Sequence, residues 1–547
     1  MPHRPRELPA AAIAAVLATI IFTWPIAVRF GSAGRVDSGD GRYSIWNVAW
    51  VAHALTTDPS RVYDANIFHP ATGALAFSEA NLFAGALAVP VWTLTSNPHA
   101  ASNWTILCSF GLAFVVTYGL VRRLTGSALG ATVAALAFGF SAYAYSHLAH
   151  VQLLMTFGLT LSLLAMHAFV ERPTAGRAGA LGGAMALTGL ACGYYGVFAG
   201  LMAGFGVLWF GFDGRRARAA RYWWLALGGA AVAAVIVAPF FAPYATIQGE
   251  GFERSLDEAR LFSVGWRSYF ASAQLLNRWM LPLLGQWREV LFPGFLPPLL
   301  AGAAAWLTFR RAAGPDLRAA RPIVGFYLAL AALAVWASLG PDAGLYRLLH
   351  ETLPLFSLLR APARFGVLVT LALAVLSGFG AAALEHRIRA DRRRLLWIGL
   401  VGWSIVGSTV GPLPLVDAPP VNPVYTRLAG LPRAPLIEFP YFSARAEVHR
   451  HTEYMLMSTY HWQPLVNGYS DHTPRAAREA TPKLATFPAP EAWQVIRGVR
   501  ARYVVLHWHI YGDAGPAIRT AIANDRRLLL MIETPQMSLY QVLAGPR

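Results

Sequence analysis

Apolar runs broken by short polar clusters rich in arginine set the pattern of the chain up to about residue 413. The runs lie near 9–28, 103–121, 127–145, 152–170, 178–193, 195–212, 222–244, 291–309, 322–339, 365–384 and 395–413. Each holds roughly 17–25 residues, the length that a hydrocarbon layer of ~30 Å requires. The pattern predicts an α-helical polytopic membrane protein with about eleven transmembrane helices. The segment 82–95, LFAGALAVPVWTLT, is also apolar, but it is short and Pro90 interrupts it. Counting it as a span would move Arg122 and Arg123 to the opposite face, so it reads as an interfacial or re-entrant helix.

Past residue 414 the pattern changes. The Pro-rich stretch PLPLVDAPPVNP leads into ordinary globular periodicity. There PLIEFP, ARYVVLHW, LLLMIE and SLYQVL read as short strands, and the stretches around 475–482 and 515–525 as helices. The expected organisation is a transmembrane domain over 1–413, with long loops at 30–102, 249–290 and 340–364, and a small α/β domain over 414–547. In the first long loop, GRYSIWNVAWVAHAL places Ile45, Val48, Ala49 and Ala52 on one helical face and Trp46 and Trp50 on another. That spacing predicts a helix lying at the headgroup level.

Charge orients the bundle. The pairs Arg122-Arg123, Arg215-Arg216 and Arg310-Arg311 and the triplet Arg392-Arg393-Arg394 fall in alternate loops. Arginine is retained on the cytoplasmic side, so the N-terminus is expected inside and residues 414–547 outside. An odd number of spans demands the same result. The first run reads as an uncleaved helix rather than a signal peptide, because no small-residue cleavage site precedes Arg29. All three long loops then face outward, which implies an outer working face.

Composition agrees. The 547 residues are 56% hydrophobic and only 13% charged, against about 25% charged in soluble domains. That excludes a soluble globular, disordered or disulfide-rich chain. Cys108 and Cys192 both lie inside apolar runs, where neither a disulfide framework nor a zinc cluster would be built. The net charge of +17 resides in loop arginines, which implies no nucleic-acid partner.

Chemistry is concentrated at the outer edge. RVDSGDGRYSIW sets Asp37 and Asp40 three apart in a Gly-rich segment just after the first helix. Such acids can bind a divalent metal or act as general base; equally, a polar loop needs Asp and Gly for its turns. The outer loops add Arg254, Arg260 and Arg267 in the second and Arg360 and Arg364 in the third, whose planar donor forks suit phosphate. Lipid headgroups or neighbouring acids, such as Asp257 and Glu258 beside Arg254 and Arg260, would occupy them too. His147, His150 and Gln152 form a polar trio that can hydrogen-bond a sugar or phosphate, help hold a metal, or simply cap a helix turn. Glu79 is a further acid at the entry to 82–95. In the C-terminal region HRH (His449, His451) and HWH (His507, His509), with His461, lack an acid or cysteine at a recognisable ligand spacing, so no metal is expected there. The aromatic stretches YFSAR and STYHWQPLVNGYS can stack on sugar rings or cover the membrane domain.

The phrases GDGRYSIWNVAW, NIFHPATGALAFSEANL, SHLAHVQLL, LFPG, LLRAPARFG and STYHWQPLVNGYS, together with this layout, resemble a poorly characterised bacterial branch of the C-type glycosyltransferases. The resemblance implies a catalytic membrane domain that moves a sugar from a polyprenyl-phosphate donor, with inversion, on the outer face of the bacterial cytoplasmic (inner) membrane. It implies Asp40 as the catalytic acid position, Asp37 as its support, and a divalent cation (Mg or Mn) held by the two. The acceptor would be a lipid-linked glycan, a wall polymer or a protein. Family members often carry adjacent acids or Asp-x-Asp; here two residues separate the pair. The alternatives are a transporter or flippase for a lipid-linked glycan, or a non-catalytic membrane scaffold. Transporters favour internal repeats and ionisable groups within spans, and these spans carry almost no charge.

Overall fold

The structure, a computed structural model, describes residues 7–212, 216–249, 254–353, 356 and 358–543. Arg215, residues 250–253 of the second long loop, and residues 354, 355 and 357 of the third lie outside them. The chain divides into two compact units. One is Met1–Val28, Thr105–Ala242 and Gly251–Leu413; the other is Arg29–Trp104, Pro243–Glu250 and Pro414–Arg547.

In the first unit every apolar run expected to span forms a helix. By length and composition, seven segments among the described residues can cross a membrane: Pro98–Thr125, Ala128–Ser146, Val151–Glu171, Gly193–Gly211, Ala220–Ala245, Arg321–Ser338 and Pro362–Arg387. The remaining runs form shorter helices, Glu7–Phe22, Ala175–Ala191, Leu296–Phe309 and Arg393–Ser408. Pro362–Arg387 is the central helix, with 89% of its most apolar stretch buried, whereas Ala220–Ala245 buries only 11% and presents Trp224, Leu227 and Val235 outward. With no hydrophobic drive between helices in lipid, close packing needs small residues. A Cβ at Gly130 would stand 2.3 Å from the Gly378 carbonyl, so Ala128–Gly139 and Gly366–Arg387 meet backbone to backbone. Polar pairs close the arginine-bearing ends: Arg122 with Glu7 at 3.0 Å, and Arg123 with Glu171.

The second unit is built on a sheet. The strands β1 (Ala33–Gly34) and β2 (Val416–Asp417) pair antiparallel, beside an ion pair between Arg29 and Asp417. Then β3 (Leu436–Phe439), β4 (Tyr503–His507), β5 (Leu528–Glu533) and β6 (Met537–Val542) form one sheet in the order β3-β4-β6-β5, with β3 parallel to β4. These are the four strands that the sequence predicts. The expected helices appear as Arg475–Leu484 and Gly515–Ile522, and Pro423–Ala429, His451–Ser458 and Pro490–Gly498 are additional.

The first long loop joins this unit through backbone hydrogen bonds. Leu465 donates to Asn66 (2.9 Å), Phe68 to Asn467 (3.1 Å) and His69 to Leu465 (2.8 Å), while Leu436 bridges Leu465. Asn66 also donates to Ser458 Oγ at 3.0 Å and accepts the Trp46 indole N–H at 3.2 Å. The helix Gly39–Thr57 is enclosed by its own unit. Ile45, Trp46, Val48, Ala49, Trp50 and Ala52 are all buried. Both faces are apolar because neighbours within the unit cover both: Leu82–Thr95 packs on the helix, and so does His451–Ser458. Leu82–Thr95 itself keeps Leu94 85% exposed.

Candidate functional site

Asp40 owes its place to local chain chemistry. Ser38, in the extended region, caps Gly39–Thr57, its Oγ accepting the Gly41 N–H at 3.1 Å. This satisfies one orphan donor and sets Asp40 in the first turn, where the helix dipole favours negative charge. Glycine is obligatory at 41, because a Cβ there would lie 1.8 Å from the Arg35 carbonyl oxygen. At Gly39 a Cβ would meet His449 at 3.0 Å. The two glycines thus let the turn fold tightly and let His449 lie against it.

Asp40 lines an open cavity of about 420 Å³ with Gly39, Arg445, Val448, His449 and Tyr469. That volume lies within the roughly 300–1,000 Å³ typical of small-ligand sites. Arg445 and His449 come from the loop that follows β3 and Tyr469 from the stretch after His451–Ser458, both far from Asp40 in sequence. One turn beyond Asp40, Tyr43 packs edge-on to Tyr469 at 6.2 Å between ring centroids. The Tyr43 hydroxyl accepts the Asn47 side-chain N–H at 3.4 Å. Burial pushes the Tyr43 phenol up to about 12, so it stays protonated.

Asp37 lies outside the cavity lining, with both carboxylate oxygens turned to Arg35, at 3.1 and 3.4 Å. Arg42 reaches Glu453 at 3.6 Å. The Glu79 backbone carbonyl accepts the Asn47 side-chain N–H at 3.2 Å, and the Glu79 carboxylate helps burial raise the Tyr63 phenol to about 12. The expected divalent cation does not fit this donor set. Such ions need several oxygen ligands; Asp37 is engaged by Arg35, and Asp40 shares its cavity with a guanidinium and an imidazole. Among the described residues no group of three or more His, Cys, Asp or Glu side chains can hold a metal.

The other expected residues lie in the first unit. Arg254 pairs with Glu258 at 2.9 Å, Arg260 with Asp257 and with Asp342 at 3.0 Å, and Arg360 with Glu258 at 3.8 Å. Arg267 stacks on Trp266 with its guanidinium carbon 5.5 Å from the ring centroid, and Arg364 on Tyr194 at 3.9 Å. The Tyr194 hydroxyl accepts the Arg360 backbone N–H at 2.8 Å. His147 Nδ1 bonds the Tyr143 carbonyl at 2.7 Å, and burial pushes its imidazole down to about 3, leaving it neutral. His150 lies 6.3 Å away, ring to ring, and Gln152 is half-buried in the turn Val151–Leu154. Glu289, which sequence reasoning passed over in WREVLFPG, ties part of this set together. Burial raises its carboxyl, and Arg364 and His150 pull it back down.

The two histidines of each motif fall on different local elements. His449 lies in the 3-10 turn Val448–Arg450 and His451 opens a helix, while His507 ends β4 and His509 falls in a helical turn. An acid does reach His507: Glu438 of β3 accepts its Nε2–H at 2.7 Å and the Tyr425 hydroxyl at 2.9 Å. Pairing of neighbouring strands makes that contact, which linear spacing cannot reveal. Sequence reasoning also missed Arg445 and Tyr469, although each ends, or nearly ends, an aromatic stretch singled out there, YFSAR and STYHWQPLVNGYS.

The fold is similar to that of ArnT from Cupriavidus metallidurans bound to undecaprenyl phosphate, at 14% identity and a TM-score of 0.50 over 100% of both chains. Weaker likenesses join it to the apo oligosaccharyltransferase of Archaeoglobus fulgidus (13% identity, TM-score 0.47, 94% of this chain and 71% of that one). AglB from the same organism, in complex with an inhibitory peptide and a dolichol-phosphate, gives 13% identity and a TM-score of 0.44 over the same shares. No protein-family model matches the chain, and no curated protein matches it in sequence. The architecture is the C-type membrane glycosyltransferase fold.

Proposed function

We propose that the protein transfers a sugar from a polyprenyl-phosphate carrier to an acceptor hydroxyl, with Asp40 as general base. The observation that carries this reading is Asp40 lining a polar cavity with Arg445, His449 and Tyr469, in a C-type glycosyltransferase fold. The undecaprenyl phosphate bound by ArnT supports the class of donor. In the proposed step the acceptor oxygen attacks the anomeric carbon from the face opposite the phosphate. The carbon–oxygen bond to phosphate breaks, its electron pair leaves on the carrier phosphate, and Asp40 takes the hydroxyl proton. The stereochemistry is inverting.

In this reading Asp37 steadies the first-loop turn through Arg35. Within the first unit the outer-loop arginines are candidates for a lipid headgroup, Arg364 foremost, because Arg254, Arg260 and Arg360 are each committed to an acid. The shorter helices complete about eleven spans, with the N-terminus in the cytoplasm and the active face extracytoplasmic, at a bacterial inner membrane. Residues 414–547 present the acceptor, a lipid-linked glycan, a wall polymer or a protein. Analysis of carrier lipids in cells lacking the protein tests the reaction class. A polyprenyl-phosphate sugar should accumulate, and an unchanged carrier pool would contradict the reading.

A further inference from the structure

A loop that faces water buries its apolar side chains and exposes its polar ones. Residues 254–295 of the first unit do the reverse. Trp266 is 65% exposed, Trp279 60% and Leu283 75%, and Leu261 and Phe270 also point outward. Ser268, Ser272, Gln274 and Asn277 are buried instead. They satisfy one another, Ser272 Oγ and Asn277 Nδ2 both donating to Gln274 Oε1, at 3.3 and 3.4 Å. The segment is a series of short turns, Leu256–Leu261, Trp266–Phe270, Leu275–Met280 and Leu281–Leu284. Backbone hydrogen bonds tie them into one layer: Leu291 donates to Ser268 and Phe292 to Ala271, both at 3.0 Å, and Leu275 to Thr409 at 2.9 Å. The apolar surface continues into the next helix, Leu296–Phe309, through exposed Leu299 and Trp306. Exposed apolar surface of this extent marks an interaction site, and tryptophan on its rim suits the membrane–water interface.

Charge identifies which lipid. The acids of the segment are engaged: Asp257 by Arg260, Glu258 by Arg254, and Glu289 beside Arg364 and His150. Three exposed arginines remain among the apolar side chains. Arg267 lies over Trp266, its Nη1 3.7 Å from where a Cβ at Gly285 would stand. Arg288 donates to the Leu261 carbonyl. Arg278 makes no hydrogen bond or ion pair among the described residues. None of the three pairs with an acid among the described residues. We infer that residues 254–295 are seated in the headgroup layer of the leaflet they face, and that Arg267, Arg278 and Arg288 select anionic phospholipid there. Zwitterionic lipid would accept the tryptophans equally well, but it leaves three positive charges uncompensated. Long arginine stems beside apolar side chains can reach up to the phosphates, and each such cation near an anionic surface adds to the attraction.

The test places a bimane fluorophore on full-length Trp279→Cys in phosphatidylcholine nanodiscs doped with acyl-brominated lipid, whose bromines quench on contact. The parent protein carried through the same labelling supplies the background from Cys108 and Cys192. Brominated phosphatidylglycerol should quench at a mole fraction lower than brominated phosphatidylcholine by roughly fivefold or more, the effect of about one arginine at an anionic surface. Raising the salt concentration should shrink that preference. Arg267→Gln, Arg278→Gln and Arg288→Gln combined should remove it while quenching by phosphatidylcholine persists, because the apolar side chains still seat the loop. The three arginines changed to lysine should retain it. The thermal midpoint should be the same in all, since none of the three holds an acid. Absence of quenching by either lipid would show that the loop lies outside the bilayer. Equal quenching by the two lipids, or a preference that survives the triple Gln change, would show that these arginines select nothing. Each of these results overturns the proposal.

Discussion

Arg35 grips Asp37 at both carboxylate oxygens, Nε to Oδ1 at 3.1 Å and Nη2 to Oδ2 at 3.4 Å. Three residues on, Asp40 lines the cavity instead. The two acids of one short loop are thereby placed differently: one closes a turn, the other lines the cavity. Partly exposed pairs of this kind contribute about 0–1 kcal/mol. Asp37→Asn should therefore lower stability by no more than about that amount and slow transfer less than about tenfold. Turnover by the purified variant, beside its thermal midpoint, checks this. A loss as deep as that of Asp40→Asn would show that the two carboxylates act as one unit.

Acid should weaken the fold through its buried histidines. Burial pushes His451 down to about 4 and His461 to about 3, from an ordinary 6.5. The unfolded chain therefore binds protons that the folded state refuses as pH falls below about 6.5. Stability should be greatest above that pH and fall toward pH 4, by up to about 1.4 kcal/mol per pH unit for each such histidine. Thermal midpoints between pH 8 and 4.5 measure the slope. His451→Gln should flatten it, and a profile already flat in the wild type would show that these imidazoles are solvated.

Topology follows from the arginine clusters. Reporter fusions after residues 123, 215 and 393 should report the cytoplasm, and fusions near 60, 270 and 547 the exterior. An external signal at 123 would mean that Leu82–Thr95 crosses the membrane, despite its 14 residues and internal Pro90, and would invert the proposed faces.

Helices and strands were legible because burial in lipid or in a sheet imposes its period on the sequence. The runs around 365–384 and 127–145 form the packed centre of the first unit, and PLIEFP, ARYVVLHW, LLLMIE and SLYQVL became the four-stranded sheet. Asp40 could be singled out in the sequence, since a Gly-Asp-Gly turn soon after an apolar run narrows the choice, and it does line a cavity. The partners of these residues were not. The ladder between 66–69 and 465–467 is made by backbone groups, which every residue carries. Trp46 and Trp50 suggested a helix at the headgroup level, and the sequence does not show that neighbours of its own unit cover both of its faces. Arg445 looks in sequence like any solvated arginine, and only the return of its loop to Gly39 sets it in the lining of the cavity.

The general-base role of Asp40 is tested most directly by the turnover of purified, folded Asp40→Asn with a polyprenyl-phosphate sugar donor and membranes that supply the acceptor. Asn keeps the size and most of the hydrogen bonding but cannot accept a proton. Loss of general-base assistance costs about 10²–10⁴ in rate. The predicted result is a fall of that size with the thermal midpoint unchanged. Turnover within a few-fold of wild type would contradict the assignment of Asp40 as the base.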